Sequence, residues 1–150
     1  MTPERAAYHY LMLSVGLREA FDADFDAAVE NEEPLSDLTL RLCAAPPSDN
    51  NACRSVLMNH FTDAVPVGSA VFDLVLADVA RRRSSLTAKE LADLCWELAE
   101  EAELPFLDFE EFRGPYYCWD YANQKIITWD RFRECVEIFF QTGRCPFPRA

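Results

Sequence analysis

Leu86-Thr87-Ala88-Lys89-Glu90-Leu91 sets a capping box, Thr87 with Glu90, inside a hydrophobic staple, Leu86 with Leu91. A helix start leaves backbone N–H groups without partners, and this pattern satisfies two of them while fixing the entry of the chain. The same parts recur in Leu107-Asp108-Phe109-Glu110-Glu111-Phe112, and Ile127-Thr128-Trp129-Asp130-Arg131-Phe132 keeps the cap and staple with Arg131 in place of the box acid. Each predicts a sharp helix start. From Thr87 the apolar period runs through Leu94, Leu98 and Ala102. From Asp108 it is cut short by Gly114-Pro115. From Thr128 it runs through Cys135, Val136, Phe139 and Phe140 to Gly143, a suitable C-terminal cap.

The same period extends upstream. Pro3 suits the first helical position after Thr2, and Tyr10, Leu13, Leu17, Phe21, Phe25 and Ala28 then follow at three- and four-residue steps until Pro34. Ser36 caps a short helix to Ala45, although Leu38-Leu40-Leu42 also alternates as a strand does. Residues 46–51, Pro-Pro-Ser-Asp-Asn-Asn, form a loop. Helices follow over 52–63 and after Pro66, the latter apolar over a wide arc through Val71, Val75 and Val79. Arg81, Arg82 and Arg83 then complement a helix C-terminus. No strands able to form a large sheet are visible, and Phe106-Leu107 with Ile126-Ile127 is the candidate for a two- or three-residue ribbon. The expected fold is all-α: a single helical domain over 1–150, an irregular bundle of five or six helices with at most a two-strand mini-ribbon.

Half of the 150 residues are apolar, enough for a packed core and too many for a disordered acidic tail. No run approaches the roughly 18 apolar residues of a membrane span, and the N-terminus lacks a secretory pattern, so a cytoplasmic protein is expected. With 26 acidic against 14 basic side chains, the formal charge is −12. That balance disfavours nucleic acid and anionic membranes and suits a basic protein partner. The acid is clustered: Asp22, Asp24, Asp26, Glu30, Glu32 and Glu33 in one stretch, and Glu97 to Glu111 in another. Each cluster repels itself unless a cation or basic group offsets it.

No motif assigns catalysis. Cys43, Cys53, Cys95, Cys118, Cys135 and Cys145 include no C-x-x-C pair, and Cys95 and Cys135 fall at apolar helix positions, so most read as reduced core thiols. The histidines are His9 and His60, and no nucleophile elbow, zinc-protease or phosphate-loop motif occurs. No catalytic residue, metal ligand or cofactor is therefore assigned.

Asp22-Ala23-Asp24-Phe25-Asp26, with Val29 and Glu33, resembles an EF-hand loop in carrying acids at positions one, three and five and Glu at twelve. It departs from that pattern at Ala27, where glycine is needed, and at Pro34, where the exit helix should begin. Helix capping accounts for the similar downstream pieces, in which Pro105 and Lys125 stand in the glycine's place.

Twelve of the nineteen aromatic residues lie between Phe106 and Phe147, in an aromatic-rich C-terminal third, 104–147. The run at Tyr116, Tyr117, Trp119 and Tyr121 is too dense to bury on one face, so some rings should serve as interface anchors. The functional expectation is a non-enzymatic acidic interaction protein that captures a basic protein, as an immunity-type inhibitor or a viral modulator does. Its partner-binding residues are Asp22, Asp24, Asp26, Glu30, Glu32, Glu33, Tyr116, Tyr117, Trp119 and Tyr121. The alternatives are a degenerate EF-hand-like calcium binder, or a small enzyme with a spatially assembled Cys/His or carboxylate site.

Overall fold

Side-chain caps decide where most of the helices begin. Thr2 accepts a hydrogen bond from the Arg5 N–H at 3.1 Å, with Pro3 in the first turn, and opens α1 (Pro3–Ser14). Helix α2 (Glu19–Asn31) follows a short turn. Ser36 caps α3 (Asp37–Ala44), and Asp49 caps α4 (Asn50–His60). Helix α5 spans Gly68–Arg82. Both bonds of the Thr87–Glu90 box form, at 2.9 and 3.1 Å, and open α6 (Ala88–Glu101). Helix α7 (Gly114–Asn123) continues from a 3-10 turn, and Thr128 caps α8 (Trp129–Thr142), which ends at left-handed Gly143.

This computed structural model describes residues 1–61 and 63–146; Thr62 and Phe147, which fall in two of the expected segments, lie outside them. The chain is all-α. Among the described residues there are eight α-helices, not five or six, with two 3-10 turns and no strand.

Two local causes explain the larger count. The apolar period from Tyr10 to Ala28 is interrupted at Gly16, whose φ of 78° turns the chain between α1 and α2. Gly114-Pro115 starts a helix instead of stopping one. Gly114 is right-handed helical (φ −56°, ψ −52°), and Pro115 sits in the first turn, where its missing N–H costs nothing. The aromatic run is consequently helical.

The expected ribbon does not form, because both segments satisfy their backbone locally. The N–H groups of Ile126 and Ile127 donate to the Tyr121 carbonyl, and that of Leu107 to Leu104. Asp108 makes no capping box; its carboxylate takes the Glu110 N–H within a 3-10 turn. Asn50 and Asn51, expected in the loop 46–51, form the first turn of α4.

The chain groups into two compact units, Met1–Val71 and the residues from Phe72 onward. In the first, α1 packs against α2 and α4, and α3 against α2 and α4, around Leu11, Met12, Phe21, Leu42 and Leu57. In the second, α7 lies between α6 and α8, and a ring cluster of Phe72, Phe109, Phe112 and Phe139 fills the core. Val71, Val75 and Val79 on α5 are fully buried. Asp78, also buried, accepts from Arg81 and Arg82 at 2.9 and 2.6 Å, so those arginines close the end of their own helix. No described helix is long and apolar enough to cross a membrane.

Candidate functional site

Four acids of the N-terminal cluster, Asp22, Asp24, Asp26 and Glu30, sit on α2, which separates them, and Glu32 and Glu33 follow its end. In α2 the residues 22 and 26 share a face, whereas Asp24 points to the opposite side. The alternating acids therefore do not converge as they would in a calcium loop, and the EF-hand resemblance has no loop to rest on. Among the described residues no group of three His, Cys, Asp or Glu side chains has the geometry to hold a metal ion.

Three of the six acids are engaged inside the protein. Asp22 pairs with Arg18 at 3.1 Å, and Arg18 also bonds Asn50 and the Pro47 carbonyl. Asp24 takes Arg5 Nε at 2.5 Å and faces Nε2 of fully buried His9 at 2.6 Å. Partial burial pushes the Asp24 carboxyl up, but the hydrogen bonds and charges of Arg5 and His9 outweigh it and hold the group below the usual aspartate value. Glu32 accepts from the Ser36 N–H at 2.9 Å and the Thr39 hydroxyl at 2.8 Å, and these bonds, the backbone one foremost, lower its pKa. Its other oxygen lies 3.9 Å from the N-terminal amine.

The remaining three, Asp26, Glu30 and Glu33, are exposed. Asp26 and Glu30 flank a groove of ≈ 650 Å³ between α2 and α3, whose floor is Phe25, Val29, Leu42 and Pro47 with Cys43 at its margin. Val29 is 44% exposed, more than a β-branched side chain with a core role would be. The groove thus joins an uncovered apolar surface to two carboxylates that form no ion pair among the described residues.

The second acid cluster is organised differently. Arg113 lies 4.5 Å above the Trp96 ring and reaches Glu100 at 2.5 Å, Glu110 at 3.2 Å and Glu103 at 3.4 Å. One largely buried arginine thus bridges three of the seven acids between 97 and 111 and relieves part of their repulsion. The four rings expected as anchors are all half-buried on α7. Tyr116 and Tyr117 pack on Trp96, with centroids 5.0 and 5.7 Å away, and Lys89 lies over Trp119 at 5.1 Å. Tyr116, Tyr117 and Trp119 thus lie against α6 residues while keeping part of their surface exposed.

Among the described residues the exposed large apolar side chains are Val29, Leu40, Val65, Val67, Ile126 and Trp129. Leu40 was signalled by the Leu38-Leu40-Leu42 alternation, because in a helix that spacing buries 38 and 42 together and leaves 40 outside. Ile126 and Trp129 line a ≈ 640 Å³ depression with Lys125 and Arg131 at its rim. Compared with known proteins, the chain matches no family model, no curated protein and no solved structure.

Proposed function

We propose that this is a non-enzymatic interaction protein whose α2–α3 groove captures a basic, apolar-centred segment of another protein. An intracellular inhibitor of the immunity type, or a viral modulator, would act in this way. The observation that carries the reading is the pairing of unoffset carboxylates, Asp26 and Glu30, with the apolar floor of Phe25, Val29 and Leu42. Exposed apolar surface in a groove gives up water on contact, and the carboxylates select for Lys and Arg around it. The excess of acid over the whole chain adds long-range attraction for the same partner.

Val29→Asp tests the reading. Position 29 is solvent-facing, so the variant keeps its fold by circular dichroism, while a charge on the groove floor opposes docking. Affinity capture from the native source should retain a basic protein on the wild type and lose it on Val29→Asp. A captured protein that binds both equally, or no recovery at low and moderate salt, contradicts the proposal.

A further inference from the structure

In the C-terminal unit the chain beyond α8 is turned back onto α7 by a set of local devices. Gly143 adopts φ 73°, and a Cβ there would stand 3.1 Å from the Phe72 ring. The Thr142 hydroxyl accepts from the Arg144 N–H at 3.2 Å, and the Cys145 N–H donates to Glu111 Oε2 at 3.0 Å. Gly114 then leaves the space that Cys145 occupies: a Cβ at 114 would lie 2.3 Å from Cys145 Cβ and 2.7 Å from its sulfur. One turn along the same helix face, the buried Cys118 sulfur stands 3.4 Å from that of Cys145. Neither sulfur is in a disulfide in the structure, and Cys145 is the half-exposed member.

We propose that Cys118 and Cys145 are a redox couple, converted by a small-molecule disulfide of the glutathione class into a disulfide that clasps the C-terminal segment to α7. The Cys145 thiolate attacks a sulfur of the glutathione disulfide, forming a mixed disulfide and releasing one glutathione thiolate. Cys118 then attacks Cys145 Sγ, forming the protein disulfide and expelling the second glutathione thiolate, which takes up the Cys118 proton. Two thiols are oxidised by two electrons, one disulfide is reduced, and the released thiolates take up the two protons. Access fixes the order, since only Cys145 reaches solvent. The sulfur contact with Cys145, and burial after it, keep the Cys118 thiol protonated and unreactive until the mixed disulfide forms beside it.

The test uses the reduced full chain in glutathione buffers of increasing oxidised fraction, quenched, alkylated and cut with trypsin. Cleavage after Lys125, Arg133 and Arg144 puts Cys118, Cys135 and Cys145 on separate peptides. The expected result is a linked pair of Cys118 and Cys145 peptides, a higher melting temperature on oxidation, and loss of both in Cys145→Ser. Gly114→Ala keeps both thiols but fills the seat, so linkage should need a ratio about tenfold more oxidising. Should Gly114→Ala fail to fold, the wild-type and Cys145→Ser comparison decides by itself. A chain that stays reduced while exposed Cys43 is glutathionylated overturns the proposal, as does one that stops at a mixed disulfide on Cys145 or links Cys118 to Cys135.

Discussion

Asp24 shows how much of one side chain's behaviour depends on its helix face. Asp22 and Asp26 on either side of it are exposed, but Asp24 turns inward to Arg5 and to the fully buried His9. Losing its charge weakens the bonds to both, so Asp24→Asn should cost about 2 kcal/mol at neutral pH, in the range for hydrogen bonds to charged groups. The pH dependence has a defined sign. Because the folded-state pKa is lowered, the stabilisation is complete above the unfolded aspartate value and is lost as pH falls through the folded one. Urea melts of wild type and variant should therefore differ at pH 7 and converge as pH drops below about 4. A gap that holds constant into acid would mean that the carboxylate is not what the interaction depends on.

Gly16 divides what the apolar period presents as one helix. Its φ is 78°, and a Cβ built there has nothing within 4 Å, so the strain of a side chain is wholly in the backbone. Gly16→Ala should cost about 1 to 2 kcal/mol by thermal melt, the penalty of one left-handed non-glycine residue. No loss would mean that the α1–α2 turn relaxes freely. Helix starts at Thr2, Ser36, Thr87 and Thr128 were legible because a cap is a bond within three residues. The start of α7 was not, since Gly-Pro serves equally as a stop or a first turn and only tertiary packing selects between them. Candidate-site residues follow the same division. Asp26 and Glu30 were legible as acids on the wet side of α2. That Phe25 and Val29 meet Leu42 across a groove depends on how α2 packs on α3, and sequence spacing within α2 does not encode it. The half-burial of Tyr116 and Tyr117 likewise needed Trp96, some twenty positions away, as its cause.

For the whole molecule, the excess of acid matters through where it is left uncompensated. Within the N-terminal unit Arg18 and Arg5 take Asp22 and Asp24, so the local field that a partner meets at the groove rim comes chiefly from Asp26 and Glu30 over the general negative background. Rim charges act on encounter more than on residence, because they attract at a distance and stay solvated once the complex forms. The most direct measurement is therefore the association rate of the captured partner against ionic strength, for wild type and for Asp26→Asn/Glu30→Gln. The account predicts a wild-type rate that falls steeply with salt, and a variant rate that is slower by about tenfold at low salt and nearly flat, with dissociation unchanged. Equal rates and equal salt slopes for the two proteins would contradict it.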